Sequence, residues 1–307
     1  MYKCKAPVAI VIFKRTENVE KLLECLKTVE LEKLYIIADG GRDEAEWAKV
    51  TQCRKMVEDA YKDKSIVHTI YSDNNLGCDT RIITGLNELF IKEERAIILE
   101  DDCMPSEDFF KFCDDMLEKY ADNDEISHIV GSKIVSNDCQ SSYFFSYMGV
   151  TWGWATWTRA WEKFRRAESY IESREIDAYY ETTKEIKGEA YQKSLKEQID
   201  IYRTTKGEVP WDYSWFLTNH GNRKLCIVPN ANLVLNIGFE AEGATHTSEI
   251  PEYYKGVKIT KLVYPLEEPE EVKANKDYDM LLFKAMNYKD PFRFFKPSYY
   301  IKRFAKR

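Results

Sequence analysis

Residues 95–102 read Arg-Ala-Ile-Ile-Leu-Glu-Asp-Asp, a short apolar run that ends in three consecutive carboxylates, Glu100, Asp101 and Asp102. An apolar run of this length is typical of a buried parallel strand, so the acids should follow the strand's carboxyl end. Ligands of open α/β sheets bind at that edge. Because neighbouring carboxylates repel one another, a fold that keeps them ionised usually supplies a cation. The alternative is a strand that ends in a solvated acidic loop.

The composition narrows the class of protein. With 307 residues, the chain can bury a full α/β core as one large domain or as one domain with an appendage. Its 44% apolar and 14% aromatic content is globular, and a net charge of -7 argues against a nucleic-acid partner. The eight cysteines lack zinc or redox spacing, which favours reduced thiols and a cytoplasmic location. We expect no signal peptide and no membrane-spanning segment.

The first 135 residues alternate strand-like and helix-like patterns with short connectors, which predicts βαβ units and an α/β fold with a mostly parallel sheet. A polar stretch over 168–207 is predicted to be a helical insertion or lid. Strand patterns cover 7–13, 34–38, 65–71, 95–99, 127–135 and 225–237, and helix patterns cover 16–29, 47–60, 82–90, 109–120 and 210–221.

The acidic block resembles the Asp-x-Asp motif, and its Glu-Asp-Asp variants, of GT-A fold glycosyltransferases, where it holds a divalent metal against the diphosphate of a sugar nucleotide. The following residues 103–110, Cys-Met-Pro-Ser-Glu-Asp-Phe-Phe, strengthen the likeness, since related enzymes follow the acids with a proline and an Asp-Phe-Phe helix start. Over 7–247 the chain is similar to inverting family-two-like and N-acetylglucosaminyltransferase I-like enzymes. This implies a Rossmann-like, three-layer GT-A domain over 1–250 and a C-terminal extension over 251–307.

The resemblance implies a donor site at the strand ends. Lys14 and Arg15 follow the first strand, where such enzymes approach the nucleotide. Asp39 ends the second strand, where the family places an acid near the base or ribose; a turn former before two glycines is the alternative. In the acidic block, Glu100 and Asp101 would lie nearer the ribose and the metal's waters.

The loop before the third helix resembles the family's Asn-x-Gly loop. Asn75 and Gly77 would place the amino end of that helix toward the diphosphate. Arg81, one turn into the helix, pairs with phosphate in this interpretation and is a surface arginine in the other.

The implied metal ligand is Asp102, and its hard oxygen donors suit Mn²⁺ or Mg²⁺. In many related enzymes a late histidine completes the metal site from a loop that closes over the donor. His246 occupies a glycine-containing stretch at such a place, although a lone loop histidine is usually only exposed.

The remaining candidates concern the sugar and the acceptor. Trp154, with Gly153, belongs to a tryptophan-rich stretch where aromatic faces can stack on sugars; a tryptophan-rich core segment is the alternative. Asp212 follows Trp211 at a helix start, where the inverting enzymes carry their general base. Stabilisation by the helix dipole is the competing explanation for this acid.

Together these features imply an inverting, metal-dependent hexosyl- or N-acetylhexosaminyltransferase, with a UDP-sugar favoured as donor and a glycan or lipid-linked acceptor of bacterial surface polysaccharide synthesis. The basic aromatic stretch at 292–307 suits the inner face of the plasma membrane, or a helix folded back onto the domain. Two alternatives stay open. One is a catalytically silent carbohydrate-binding or scaffold protein. The other is a sugar nucleotidyltransferase, although the first strand lacks the glycine-rich loop that such enzymes need.

Overall fold

The computed structural model describes residues 1–172, 176–189, 192–193, 195–197, 199–200, 209–239 and 250–286. The strands in this part of the chain are β1 Tyr2–Cys4, β2 Val8–Ile12, β3 Val29–Leu31, β4 Lys33–Ala38, β5 Ile66–Tyr71, β6 Arg95–Glu100, β7 Cys103–Pro105, β8 Ile126–Val130, β9 Tyr143–Ser146, β10 Trp154–Trp157, β11 Leu225–Pro229 and β12 Val234–Asn236. The α-helices are α1 Thr16–Leu26, α2 Glu44–Tyr61, α3 Cys78–Phe90, α4 Glu107–Lys119, α5 Thr158–Trp161, α6 Ala167–Glu172, α7 Ile176–Lys187, α8 Trp211–Gly221 and α9 Lys276–Met286.

Eight strands form the central sheet in the order β5-β4-β2-β6-β10-β8-β11-β9. Strands β5, β4, β2 and β6 are mutually parallel, β8 and β11 are parallel to each other, and β10 is antiparallel to both β6 and β8. The four parallel strands are the ones that the apolar runs of the first 100 residues predicted. The prediction of an α/β fold with a mostly parallel sheet is confirmed.

Side chains alternate between the two faces of the parallel strands, and helices cover each face. Ile10 and Ile36 belong to the core under α1, α2 and α4. Ala9 and Ile37, their chain neighbours, belong to the opposite core, with residues of α3, α5 and α8. The result is three layers, with α1, α2 and α4 packed on one face of the sheet and α3, α5 and α8 on the other.

The tryptophan-rich stretch forms strand β10, which the sequence patterns did not predict. Trp154 lies opposite Ile98 of β6 and opposite Val130 of β8, so the strand is central. All four residues of β10 are buried, so the strand shows no polar–apolar alternation. Its short length and lack of period explain why composition alone did not identify it.

Most described residues of the polar stretch over 168–207 are helical, but the stretch is not purely solvated, and its role as an insertion or lid stays a prediction. Tyr170, Tyr179 and Tyr180 pack in a small apolar cluster with Leu217 of α8. Because long polar side chains on the outer faces dominate the composition of this stretch, the composition does not reveal its apolar inner face.

Residues of the predicted C-terminal extension also contact the sheet. Tyr278 and Leu282 of α9 pack with Phe144 of β9, and the Asn275 amide donates to the Phe145 carbonyl at 2.7 Å. The predicted boundary near residue 250 stays a prediction. The basic aromatic tail lies beyond residue 286, outside the described residues. Within the ranges described above, no helix is long and apolar enough to cross a bilayer.

Candidate active site

The loops that follow β2, β4, β5 and β6 meet at one edge of the sheet, because the carboxyl ends of parallel strands point the same way. Arg15, after β2, contacts the acidic block after β6. The loop after β4 is bonded to the loop after β5: the Gly40 amide donates to the Asn74 carbonyl at 3.2 Å. The structure therefore brings together residues from four separate stretches of the sequence.

The acidic block surrounds one arginine. Asp101 is 2% exposed, and its carboxylate forms a close ion pair with the Arg15 guanidinium. The same guanidinium lies 3.1 Å from Oδ2 of Asp102, whose side chain keeps 15% of its surface exposed. Strand β6 ends at Glu100, which is half-buried beside them. Two of the three carboxylates thus pair with the same guanidinium, and the third lies beside them.

Burial and mutual repulsion act on these acids. Burial raises the pKa of Asp101 to about 6, although the Arg15 charge and a hydrogen bond from the Phe13 amide oppose this rise. The pKa of Glu100 is raised well above its ordinary value, first by burial and then by the charges of Asp102, Asp101 and Asp212. Ionising all three acids together is therefore unfavourable, and an additional cation would favour their ionised forms.

The donor set fits a divalent cation in part. Asp101 and Asp102 already bridge one positive charge, and carboxylate oxygens are the ligands that Mg²⁺ and Mn²⁺ prefer. In the part of the chain that the structure describes, no three His, Cys, Asp or Glu side chains form a ready metal cluster. A cation on Asp102 would therefore take further ligands from water or from a bound phosphate.

His246, the second predicted metal ligand, lies outside the described residues. The last residues described before His246 lie beside the acidic block. The Ile237 amide donates to the Asp102 carbonyl at 2.9 Å. At Gly238 an added Cβ would lie 2.4 Å from Oδ2 of Asp102, so a larger residue here would require the Asp102 carboxylate to shift. Ligation by His246 stays a prediction.

Asp39 is 5% exposed and its carboxylate is taken up by backbone amides. It accepts from Gly40 at 3.0 Å, from Leu76 at 2.9 Å and from Gly77 at 2.9 Å. The Asn75 side-chain amide adds a bond of 2.8 Å to the Gly40 carbonyl. These bonds fix the loop that precedes α3, so Asp39 and Asn75 position the predicted diphosphate loop. Direct contact of Asp39 with a base or ribose stays a prediction.

The loop ends at Gly77, which has φ of +80° and stands at the amino end of α3. An added Cβ there would meet nothing within 4 Å, so the glycine serves backbone conformation and leaves the helix end open to a ligand. This arrangement suits an anion at the amino end of α3.

Two basic residues predicted to bind the donor pair with acids outside the acidic block. Lys14 pairs with Glu46 of α2 at 2.5 Å. Arg81 is 4% exposed and its guanidinium runs along α3, with Nη2 lying 3.6 Å from Glu88. Phosphate contacts for either residue therefore require a different side-chain conformation from the one in the structure.

Asp212 does approach the acidic block. The Trp211 amide, at the start of α8, donates to Oδ1 of Asp79 at 2.7 Å, which joins α8 to the first turn of α3. The Asp212 charge contributes to the raised pKa values of Glu100 and Cys78. Asp212 is thus an exposed acid at the start of α8, its carboxylate accepting from the Tyr213 amide at 2.8 Å, and its charge reaches the acidic block.

Sequence analysis missed two residues of this site, Asp79 and Cys78. Asp79 joins α3 to α8, and Cys78 is the exposed first residue of α3. Their place directly after Gly77 was the available signal, because the first turn of an anion-binding helix faces its ligand.

The predicted sugar-stacking residues lie in the core. Trp154 is 1% exposed, and the rings of Trp211 and Trp215 each lie 5.7 Å from its ring. Gly153 has φ of +67°, and an added Cβ would lie 2.9 Å from Val234, so this glycine serves packing. Trp211 is 5% exposed. The structure therefore supports the core alternative for Trp154, and a sugar contact by any of the three stays a prediction.

No protein-family profile and no curated protein matches the chain. Solved structures similar to it include S. aureus TarS 1–349 in complex with UDP-GlcNAc, with 16% identity over 46% of this chain and 38% of that chain and a TM-score of 0.30. A second structure of S. aureus TarS 1–349 gives 11% identity over 78% and 61%, with a TM-score of 0.41. The mannosyltransferase PcManGT from Pyrobaculum calidifontis, in complex with GDP-Man and Mn²⁺, gives 11% over 51% and 45%, with a TM-score of 0.34. The chain thus spans less than two thirds of each of them. At these TM-scores the likeness assigns no activity to this chain.

Proposed function

We propose that the chain is an inverting glycosyltransferase that moves a sugar from a nucleoside-diphosphate donor to a hydroxyl group of a glycan or lipid-linked acceptor. The observation that carries this proposal is that the bond from the Trp211 amide to Asp79 joins the start of α8 to α3, and that the neighbouring Asp212 is near enough to the acidic block for its charge to raise the pKa of Glu100. A leaving diphosphate needs positive charge and amide donors, and an attacking hydroxyl needs a base. In this proposal the amino end of α3 and the acidic block serve the first need, and Asp212 serves the second.

In this mechanism the donor diphosphate lies between the amino end of α3 and the acidic block. The loop held by Asp39 and Asn75 orients the helix amides toward it. A divalent cation held by Asp102 would neutralise charge on the departing diphosphate. Asp212 accepts the acceptor's proton as the new glycosidic bond forms and the bond to the diphosphate breaks on the opposite face of the anomeric carbon. No covalent enzyme intermediate is needed.

The test is a panel of UDP- and GDP-sugars with the purified protein, with and without Mn²⁺. Thermal shift reports binding, since a ligand of the folded state raises Tm by mass action. Slow hydrolysis of the bound donor reports chemistry. We expect at least one nucleotide sugar to bind and to be hydrolysed. Binding of none of them would contradict the proposed function.

The variant Asp212→Asn separates a base from a helix-capping acid. We expect it to lower turnover by about 100-fold or more while leaving donor binding within about threefold, because general base catalysis contributes about that much to rate. Asp277→Asn is the matched control, since Asp277 is also an exposed first-turn helix acid. Equal and small effects of both substitutions would remove Asp212 from catalysis and favour the silent carbohydrate-binding alternative.

A further inference from the structure

We propose that Arg15 is the resident counter-ion of the acidic block and excludes divalent cations from Asp102 until a nucleotide diphosphate draws its guanidinium away. This inference rests on the proposed function, because the diphosphate is the ligand that releases Arg15. It assigns Arg15 a role in the order of binding, beyond a contact with the donor.

The position of the Arg15 side chain beside Asp102 supports this proposal. Arg15 stands between the end of β2 and the first residue of α1, and its side chain crosses to the end of β6. There it forms the close pair with Asp101 and lies 3.1 Å from Oδ2 of Asp102. A metal bound at that oxygen would stand within a few ångströms of the guanidinium. Arg15 and a divalent cation therefore compete for Asp102.

The ion pairs of the other basic residues predicted for the site also support it. Lys14 and Arg81, the other basic side chains predicted for this site, pair with Glu46 and Glu88 instead. Their ion pairs leave the neutralisation of the block to Arg15 in the described part of the chain. With 26% of its side chain exposed, Arg15 is accessible to a ligand that approaches the acidic block from solvent.

The chemistry of the guanidinium allows a diphosphate to replace the carboxylates as its partner. A guanidinium presents a planar fork of donors that matches phosphate oxygens as well as it matches carboxylates. A bound diphosphate can therefore take Arg15 from Asp102 while the freed carboxylate takes the metal. Metal and nucleotide then strengthen each other's binding, and by linkage the coupling is the same in both directions. Part of that coupling depends on Arg15.

The experiment measures Mn²⁺ binding to the full chain by electron paramagnetic resonance of the free ion, first without nucleotide and then with saturating UDP. Arg15→Met removes the charge and keeps an apolar stem of similar length. Arg42→Met is the matched control, because Arg42 pairs with Glu46 at the same edge of the sheet and its loss changes the net charge equally. Arg15→Lys keeps the charge without the planar fork. Circular dichroism checks that each variant is folded.

Without nucleotide, we expect Arg15→Met to bind Mn²⁺ about tenfold more tightly than the wild type, because a competing cation has been removed from Asp102. Arg42→Met should stay within about twofold of the wild type, since its charge is more exposed and screened by salt. Arg15→Lys should resemble the wild type. The increase in Mn²⁺ affinity caused by UDP should be smaller in Arg15→Met than in the wild type.

Tighter Mn²⁺ binding by a variant is a result that a structural defect does not produce. Mn²⁺ affinity in Arg15→Met no higher than in Arg42→Met would overturn the inference. If Mn²⁺ binds but UDP binds to none of the proteins, the proposed function is overturned, whereas the Mn²⁺ affinities of the two variants still decide whether Arg15 competes for Asp102.

Discussion

Strands β6 and β10 lie side by side in the sheet, and sequence analysis assigned residues of both to the site. β6 ends at Glu100 and is followed by Asp101 and Asp102, which both pair with Arg15, and Asp102 keeps contact with solvent. β10 begins at Trp154, which is enclosed by other tryptophan rings. Burying a carboxylate that lacks charge or hydrogen-bond partners is unfavourable in free energy. The position of such a carboxylate therefore indicates a site. An indole ring is largely apolar and is common in protein cores, so a tryptophan does not by its residue type alone indicate a site.

The largest expected effect tests the core role of Trp154. We expect Trp154→Ala to lower the free energy of unfolding by about 3–5 kcal/mol, because a large buried ring leaves a cavity. Urea unfolding followed by circular dichroism measures the change. Asp102→Asn is the contrasting variant and should stay within about 1 kcal/mol, since Asp102 is partly exposed. A small effect of Trp154→Ala would break the contrast between the two strands.

The buried side of the comparison also predicts a pH dependence. His128 of β8 packs against the Trp215 ring at 5.6 Å, and burial lowers its pKa to about 3. Below about pH 6.5 the unfolded chain binds a proton at His128 that the folded chain does not bind. His128 therefore contributes stability above about pH 6.5, and this contribution is lost as the pH falls toward 3, by about 1.4 kcal/mol per pH unit.

Urea unfolding at pH 7, 6 and 5 measures this loss. The variant His128→Gln cannot bind the proton, so its stability should fall less steeply with acid than that of the wild type. Parallel slopes for the two proteins would place the acid sensitivity elsewhere.

The solvent side of the comparison predicts a binding defect. Asp102→Asn should weaken UDP binding in the presence of Mn²⁺ by about 100-fold, or about 2.7 kcal/mol, with little change in its absence. Isothermal titration calorimetry with and without Mn²⁺ measures both. Trp154→Phe should stay within about threefold, because it preserves an aromatic ring in the core. Equal binding by wild type and Asp102→Asn would leave the acidic block without a role in binding metal.

The smallest effect concerns Asp39, an acid whose oxygens are occupied by amides of its own chain. Asp39→Asn should raise the Kd for UDP by about tenfold, or about 1.4 kcal/mol, by loosening the loop before α3. Hydrogen exchange should show faster exchange at the Leu76 and Gly77 amides, which donate to Asp39. Mn²⁺ affinity without nucleotide should be unchanged. A changed preference for UDP over GDP would instead indicate that Asp39 reads the base.

Much of the fold could be predicted, because its strands are short-range patterns. The apolar run before Glu100 and the run before Asp39 both became central parallel strands. The site was predicted less completely. The acidic block and Asp212 are near each other, but Lys14 and Arg81 pair elsewhere and Asp79 was missed. Ion-pair partners depend on distances across the fold, which no local pattern contains.

The amino-acid sequence by itself determined the parallel half of the sheet and the location of its acids at a strand end. Period and apolar runs reflect burial of neighbouring residues, and these need no knowledge of distant contacts. Only the tertiary structure decided that Arg15 pairs with Asp101 and Asp102 and that the carboxylate of Asp39 accepts from backbone amides. It also decided that α8 meets α3 through a bond between Trp211 and Asp79, residues 132 positions apart. Such contacts arise from how helices and loops pack on the sheet, and that packing is a property of the whole chain.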